Sequence, residues 1–462
     1  MMTNTTAILV TLVLYKIVLI FIGVWANKRT KSTSDYFLGG RKLGPWVAAL
    51  SASASSSSAW TLLGVSGAAY LWGLPAIWIF PATVSGFIFN WLYIAPKLSL
   101  HGRKVGAITL TDVLATNNDG SSIKELRWLA SAIVLFCFVF YIASQFDAAG
   151  QSFQSTFSMG KNTSILIGAS IILIYTLLGG FWAVSVSDTL QGVMMALSAI
   201  ILPIVAVSEA GLSNIFASFS GQAIFSSPSG MGGIVGLGFI LGTMGIGIGY
   251  PGQPHVVNRF MAIEPGDKVR QGRMIAIGWA LIIYPGMIFL GWAGRVLMDI
   301  AGHEQILIVM GNQLLHPVVA GVILAAVLSA IMSTADSQLL VASSSVSHDL
   351  KGSKEEMSLS QTRVVVTVIC IVAVGMAIFV DKSIYSRVLF AFSAMGSAFG
   401  PLLLGRIQGG VPKHHAICAM AVGFFMTLFF YYSNLKPEGN PLERIVPFIL
   451  AYAIVQLGRR KG

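Results

Sequence analysis

Apolar runs of membrane length recur along the whole chain, separated by short polar segments. A run of about 20 apolar residues crosses the hydrocarbon core of a bilayer as a helix. By that measure the pattern predicts spans near residues 6–26, 44–71, 75–96, 125–150, 163–180, 183–208, 230–252, 271–297, 318–348, 361–380, 386–405, 415–433 and 442–458. The expected fold class is an all-α integral membrane protein with about thirteen transmembrane helices. Residues 1–462 read as a single membrane domain with no appended soluble module.

Two of these spans lose their apolar character half-way along. The first reads Trp46-Val-Ala-Ala-Leu-Ser-Ala-Ser-Ala-Ser-Ser-Ser-Ser-Ala-Trp60, and the second Leu241-Gly-Thr-Met-Gly-Ile-Gly-Ile-Gly-Tyr-Pro-Gly-Gln-Pro-His255. An unpaired backbone group costs several kcal/mol in hydrocarbon, so such breaks persist only where protein or a cavity surrounds them. Paired breaks in corresponding halves of a chain point to a transporter's binding site. The broken spans are the second and the seventh. Their spacing predicts two five-helix units, residues 44–208 and 230–405, related as an inverted repeat. Residues 6–26 then form an extra N-terminal helix, and residues 415–458 two extra C-terminal ones.

Composition agrees with a membrane protein. Hydrophobic residues make up 55% and charged residues 10% of the chain, against about a quarter charged in soluble domains. The net charge of +11 invites a nucleic-acid reading, which its distribution excludes. With the N-terminus outside, 22 of the 29 Lys and Arg fall in cytoplasmic loops, Arg259 and Arg406 among them. Six fall outside, including Arg387 and Arg444, and Lys16 lies inside the first span. This asymmetry is the positive-inside rule, which places the C-terminus in the cytoplasm of a multi-pass protein of the inner (plasma) membrane. The partners it implies are the lipid bilayer and a small-molecule solute, with no nucleic acid and no required oligomer. Cys137, Cys370 and Cys418 all lie in apolar spans and make no disulfide or metal pattern. The first span ends in Asn27-Lys-Arg-Thr-Lys31 without a small-residue cleavage site, so it reads as a retained helix.

Candidate chemistry concentrates in three places. In Leu328-Ser-Ala-Ile-Met-Ser-Thr-Ala-Asp-Ser-Gln338, Ala330, Ser333, Thr334 and Ser337 share one helix face. That face offers hydroxyls and an approachable carbonyl, and the first break offers carbonyls near Ala54 and Ser57. Neutral oxygens of this kind can hold a Na⁺ ion. The competing reading is packing alone, because small and hydroxyl residues are enriched at membrane helix interfaces. The second place is the set of intramembrane acids. Asp188 and Asp336 are candidates for holding a cation or a proton, and Asp147 reads equally as functional or as structural. The third is Tyr250-Pro-Gly-Gln-Pro-His255, where His255 reads as structural and Trp60, Tyr141 and Tyr250 either wall a pocket or simply pack. The chain lacks a phosphate loop, a Gly-x-Ser-x-Gly elbow and any His-Glu pair on one helix, so no enzyme is expected.

At these same residues the chain resembles the sodium:solute symporter family, and is most similar to its sodium/proline symporter branch. The resemblance rests on Ser34-Asp-Tyr-Phe-Leu-Gly-Gly-Arg41, Ala49-Leu-Ser-Ala52, residues 175–189 with Gly179, Gly180 and Asp188, Gly249-Tyr-Pro-Gly-Gln-Pro-His255, Arg259-Phe-Met-Ala262 and Met332-Ser-Thr-Ala-Asp-Ser-Gln-Leu-Leu-Val341. It runs from about residue 5 to about 455. It implies a leucine-transporter-type 5+5 inverted repeat with two broken helices, and Na⁺ as the co-transported ion. The Na⁺ ligands it implies are carbonyls of Ala54, Ser57 and Ala330 with hydroxyls of Ser333 and Thr334. A second cation site, present in some members, maps to Asp188, Asp336 and Ser337. The expected substrate-binding positions are Ser56, Ser58, Trp60, Tyr141, Gln145, Ile246, Tyr250 and Gln253.

Two positions depart from the proline branch, which usually carries Asp at Ser56 and Trp at Ile246. Proline leads the expected solutes, and these departures narrow its lead. A pantothenate, sugar, sialic-acid or proton-coupled symporter is the nearer alternative. The absence of Arg from the pocket-forming helices argues against a carboxylate clamp. A transporter-like sensor is the remote alternative. It would need a separate output partner, since the sequence ends at Arg459-Arg-Lys-Gly462. A channel would need a continuous polar path, whereas the polar residues cluster at mid-depth.

Overall fold

A computed structural model of the chain describes residues 4–27, 37–117, 120–178, 180–350, 357–380, 383–433, 435 and 441–460. Lys28, Arg29, Lys31, Lys351, Lys354, Lys382, Lys436 and Lys461 of the charge tally lie outside the described residues. So do Ser34, Asp35, Tyr36 and Gly179 of the family motifs. The described residues are helical throughout, with no strand and two isolated bridges, Leu43 with Ile263 and Thr116 with Ser122.

In chain order the helices are α1 (Asn4–Asn27), α2 (Pro45–Ser56), α3 (Val65–Trp72), α4 (Ile79–Phe89), α5 (Ala95–Lys104), α6 (Leu110–Ala115) and α7 (Lys124–Phe157). They continue with α8 (Lys161–Leu178), α9 (Phe181–Ala210), α10 (Leu212–Ala217), α11 (Gly233–Ile248), α12 (Pro254–Ala262) and α13 (Asp267–Leu297). The rest are α14 (Ile306–Leu314), α15 (Pro317–Ser344), α16 (Leu359–Phe379), α17 (Ile384–Ile407), α18 (Lys413–Tyr432), α19 (Pro441–Arg444) and α20 (Val446–Arg460). Among the described residues, 11 helical segments are long and apolar enough to cross a membrane. Each coincides with a predicted span. The two predicted spans outside that set are the interrupted segment α2–α3 and the helix α8, whose apolar part is the shorter Lys161–Ile174. Length and composition thus fall short of the expected thirteen, because one span is broken and one is short.

Both expected breaks are present. Helix α2 ends at Ser57, whose φ of −109° and ψ of 71° leave the helical region. Its N–H turns back to the carbonyls of Ser53 (3.0 Å) and Ala54 (3.3 Å). A run of serines favours this ending, because each hydroxyl competes with the backbone for hydrogen bonds. Ser56 Oγ does so, donating to the Ser53 carbonyl at 2.9 Å. The chain resumes as a π turn, Trp60–Gly64, that leads into α3. The second break separates α11 from α12 through the 3₁₀ turn Tyr250–Gly252 and extended Gln253. Pro251 and Pro254 supply no N–H, so an uninterrupted α-helical ladder cannot form there.

Two helices form the interior. Every residue of α17 from 387 to 406 is buried, as is nearly all of α15 from residue 320 onward. By contrast α1 turns Leu14, Ile17 and Phe21 outward, as a helix facing lipid does. Helix α17 crosses the second break at glycines. A Cβ placed on Gly396 would stand 2.5 Å from Gly249 Cα, and one on Gly252 would stand 2.5 Å from the Met395 carbonyl. Small residues allow such close approach where the hydrophobic effect does not drive helices together.

Four cations assigned to loops by the sequence pattern are buried inside the protein instead: Arg259, Arg387, Arg406 and Arg444. Two come from each side of the tally. Arg406 donates to the Leu114 carbonyl at 3.0 Å and Arg444 to the Gly242 carbonyl at 2.9 Å. Arg259, Arg406 and Arg444 are buried against backbone oxygens, and Arg387 against a carboxylate.

Beyond the spans, α6 is docked by a charged cluster. Asp112 accepts Arg127 Nη1 at 2.8 Å and the N–H of Ile108 at 2.9 Å, and lies 3.2 Å from His348 Nε2. Burial alone would raise the Asp112 carboxyl, but His348, Arg127 and the backbone donor outweigh it and hold the group at about 2. A lowered carboxylate stabilises the fold above its unfolded-state value and loses that contribution as pH falls through the folded one. Asp112→Asn should therefore lower thermal stability at neutral pH. It should also remove the loss of stability that wild type shows between about pH 4 and pH 2, as followed by fluorescence-detected unfolding in detergent. At the helix crossing, Gly396→Val should destabilise by about 1–3 kcal/mol through overpacking, read as a lower melting temperature.

Candidate functional site

The two breaks and α15 meet in the interior, and the meeting is polar. Ala54, Ser57, Ala330, Ser333 and Thr334, the five expected Na⁺ ligands, are all fully buried. Thr334 Oγ1 donates to the Ser55 carbonyl at 3.0 Å, so a side chain of α15 reaches the backbone at the end of α2. Ser333 Oγ lies 3.4 Å from Ser55 Oγ, which also lies 3.0 Å from Ser337 Oγ. The face predicted from the i, i+3, i+4, i+7 spacing therefore does turn toward the first break.

Helix α7 meets the break from its other side. Gln145 Oε1 accepts the N–H of Ala59 at 3.1 Å. Tyr141 OH donates to Ser58 Oγ at 3.2 Å, and Ser58 Oγ also accepts the N–H of Trp60 at 3.3 Å. Ser56, Ser58, Trp60, Tyr141, Gln145, Ile246, Tyr250 and Gln253 are each at most 1% exposed, so the site is closed to both surfaces. Ser56 is spent on its own helix, as described above.

Tyr284 of α13, which the sequence pattern does not single out, joins the two breaks. Its hydroxyl lies 3.0 Å from Tyr250 OH and 3.4 Å from Ser57 Oγ. At the second break, Gln253 Nε2 donates to the carbonyls of Gly249 (3.0 Å) and Phe392 (2.9 Å). Tyr250 packs edge-on against Phe392, with ring centroids 5.1 Å apart. Trp60 packs against Tyr284 at 6.3 Å and edge-on against Tyr385 at 6.0 Å. Tyr385 also meets Trp72. It is a second aromatic that sequence reading missed, since a lone Tyr near a helix start carries no periodic signal. Among the described atoms, Trp60 Nε1, Tyr385 OH and Gln253 Oε1 are buried without a hydrogen-bond partner. His255 packs edge-on to Phe138 and Tyr141 and its carbonyl accepts Arg259, while among the described atoms its two ring nitrogens are buried without a hydrogen-bond partner, unlike those of a satisfied structural histidine.

The expected second cation group divides. Asp188 and Ser337 come together, and between them stands Arg259. Its Nη2 donates to Asp188 Oδ2 at 3.1 Å and to Ser337 Oγ at 2.6 Å, and its Nε donates to Ser51 Oγ at 3.0 Å. Asp336 faces α8 instead, where Thr176 donates to it. One residue along a helix turns a side chain by about 100°, which separates Asp336 from Ser337. The expectation of pocket-forming helices free of Arg is thus corrected: α12 carries Arg259 beside the break. The sequence signal that would have found it is an intramembrane acid, Asp188, in need of a cation. Asp147 resolves likewise, forming a buried ion pair with Arg387 of α17. Cys137 and Cys370 are buried free thiols, and Cys418 is an exposed one.

A family model described as the sodium:solute symporter family matches residues 36–423. The chain belongs to the sodium:solute symporter family. Its relatives include the high-affinity proline transporter PutP of Bacillus subtilis, 37% identical, covering 88% of each chain. The sodium/proline symporter of Salmonella typhimurium is 35% identical, covering 91% of this chain and 87% of that protein. The osmoregulated proline transporter OpuE of Bacillus subtilis is 32% identical, covering 96% and 92%. Among solved structures, a Na⁺-coupled sialic acid symporter in a substrate-bound outward-open state superposes with a TM-score of 0.76 at 18% identity, covering 99% and 98% of the two chains. A nucleobase-cation-symport-1 family transporter in a closed conformation superposes with a TM-score of 0.56 at 13% identity, covering 93% and 96%. These likenesses show the fold, which is of the leucine-transporter type. This symporter is therefore a multi-span membrane transporter of a small-molecule solute, from a family of transporters rather than enzymes.

Within this symporter, Gln145 is the side chain that satisfies the backbone where α2 has ended. Gln145→Leu should leave the Ala59 N–H buried and unpaired, at a cost of about 1–3 kcal/mol. The expected readout is a lower melting temperature in detergent, partly recovered by Gln145→Glu, which keeps an acceptor at that place.

Proposed function

We propose that this symporter imports proline, or a related small amino acid, together with Na⁺ across the plasma membrane by alternating access. The observation that carries the reading is the contact of Thr334 Oγ1 with the Ser55 carbonyl at 3.0 Å, with Ser333 one residue away. It supports a Na⁺ site in which the carbonyls of Ala54, Ser57 and Ala330 and the hydroxyls of Ser333 and Thr334 are the ligands. The site consists of neutral oxygens with no fixed charge of their own, which suits a monovalent hard cation that must leave again. The proline transporters among the relatives support the solute class.

A zwitterion needs donors for its carboxylate and an acceptor for its ammonium group. Trp60 Nε1 and Tyr385 OH are unspent donors, and Gln253 Oε1 is an unspent acceptor. Tyr141, Tyr250, Tyr284 and Trp60 supply the apolar walls for a small ring. Ser58, Gln145 and Ile246 complete the lining, with Ser56 turned back on its own helix. Ile246 stands where the proline branch usually carries Trp, and the smaller side chain favours a solute somewhat larger than proline. The two five-helix units, residues 44–208 and 230–405, rock about this site. The N-terminus lies outside and the C-terminus in the cytoplasm, as the loop charges favour.

Bound Na⁺ ties the end of α2 to α15 and so sets the distance between the walls of the solute pocket. Its inward movement releases about 2.3 kcal/mol per charge at 100 mV, before the concentration gradient is added. By linkage, Na⁺ and solute must raise each other's affinity by the same factor.

Radiolabelled proline uptake into proteoliposomes tests the reading, with an inward Na⁺ gradient or with K⁺ in its place at equal membrane potential. Uptake is expected only with Na⁺. Equal uptake with K⁺ would refute sodium coupling, and no uptake in either case would remove proline. Ser333→Ala and Thr334→Ala should each raise the Na⁺ concentration for half-maximal uptake by about tenfold, the loss of one hydrogen-bonding ligand worth about 1.4 kcal/mol. Both should leave the amount of protein in the membrane unchanged.

A further inference from the structure

Three cations meet around a cavity at one end of the bundle, far from the two breaks. The cavity measures about 520 Å³ and lies where α17 ends, α18 begins and α20 ends, lined by Arg406, Lys413 and Arg459. Arg406 is 2% exposed. Its Nε donates to the Leu114 carbonyl at 3.0 Å and its Nη1 to the Val411 carbonyl at 3.1 Å. Its Nη2 is buried without a partner among the described atoms. Arg459 donates Nη1 to Gln408 Oε1 at 2.6 Å and Nη2 to the Gln408 carbonyl at 2.9 Å. Among the described residues, Lys413 alone of the three meets a carboxylate, Glu125 Oε1 at 2.8 Å, and that pair is exposed. The two guanidiniums are thus held by neutral oxygens, although a buried charge is ordinarily paired. The wall between them is Gly409-Gly410, with φ of +130° and +97°, where a Cβ on Gly409 would meet nothing within 4 Å.

We propose that this cavity binds a phosphate group, and that its setting assigns the group to the headgroup of an anionic phospholipid. The planar guanidinium fork matches phosphate oxygens and makes strong, charge-assisted hydrogen bonds to them. A phosphate there supplies the missing counter-charge to Arg406 and Arg459, and the bare glycine wall lets it come close. Depth argues for a lipid. Helices α17, α18 and α20 all belong to membrane-length segments, and the cavity lies at their ends, the level of the headgroups. Leu450 and Leu457, two turns apart on α20, are exposed on one face that leads from the cavity into the hydrocarbon, as acyl chains would. Loop charges assign this face to the cytoplasm, where basic pockets between helices take anionic headgroups. Because Arg406 belongs to α17, the bound phosphate ties the helix that crosses the second break to α18 and α20.

Fluorescence-detected unfolding of the purified full-length protein in a neutral detergent tests the proposal, with phosphatidylglycerol, phosphatidylcholine or inorganic phosphate added. Phosphatidylglycerol should raise the melting temperature at concentrations where the other two leave it unchanged. Lys413→Gln/Arg459→Gln removes two of the cations and leaves Arg406 on its carbonyls, so the protein should still fold. It should need about tenfold more phosphatidylglycerol for half the shift, as charge-assisted hydrogen bonds are lost. Lys268→Gln/Arg270→Gln removes the same charge from the same face, away from the cavity, and should respond as wild type does. Native mass spectrometry should find one phosphatidylglycerol retained on wild type and none on Lys413→Gln/Arg459→Gln. An equal shift with phosphatidylcholine, or one with inorganic phosphate that phosphatidylglycerol does not exceed, would overturn the lipid assignment. No shift in wild type, or an equal loss in the two double variants, would overturn the site itself.

Discussion

Backbone groups that leave a helix inside hydrocarbon have no water to bond, and each one left unpaired costs several kcal/mol. Helix α2 ends at Ser57 in the middle of the protein, and much of the surrounding structure answers that ending. Gln145 accepts the N–H of Ala59, Thr334 donates to the carbonyl of Ser55, and Ser57 bonds back to residues 53 and 54. These partners come from α7, α15 and α2 itself. Three elements distant in sequence are thereby fixed around one short stretch of irregular backbone. The same stretch is where carbonyls become available to an ion, so the feature that would destabilise an isolated helix is what builds the site. The second break is handled by closeness rather than by side-chain reach. Helix α17 comes near enough at Gly396 for Gln253 to bond its Phe392 carbonyl.

Charge is treated with the same economy. Two acids lie buried within the membrane domain with an arginine in direct contact, Asp188 with Arg259 and Asp147 with Arg387. A buried pair of this kind is weak evidence of net stabilisation, because desolvation offsets the attraction, yet removing one partner is strongly destabilising. What such pairs do supply is register. Asp188–Arg259 joins α9 to α12, and Asp147–Arg387 joins α7 to α17, in both cases linking an early helix to a late one. Contacts of this type hold together the helices that carry them in this closed arrangement. Under the proposed alternating access the walls around Trp60, Tyr250 and Tyr385 part on one side at a time; Trp60 and Tyr250 are buried here and Tyr385 is half-buried.

The hydropathy pattern marks each helix that is both long and continuous, and it locates both breaks to within a few residues. The hydroxyl face of α15 was legible too, because helical periodicity converts spacing directly into a shared face. Side chains that act across elements were harder to read. Tyr284 and Tyr385 sit in ordinary apolar surroundings, and nothing local shows that they meet Tyr250 and Trp60. Arg259 and Arg387 were placed in loops because a charged residue near the end of an apolar run is normally solvated. Their burial depends on acids more than 70 residues away in the chain.

Sequence alone determined the class of the protein, because transfer to hydrocarbon is a property of composition and length. It also determined where the two helices must stop, because serine runs and prolines act on their own backbone. Tertiary structure decided what fills the space those endings create. Asp336 and Ser337 are adjacent in sequence, yet one meets Thr176 and the other Arg259. The rotation of α15 against its neighbours separated them, and that rotation is set by packing among helices rather than by either residue. The same packing placed a guanidinium beside Asp188, where the order of residues had promised only an acid in need of a partner.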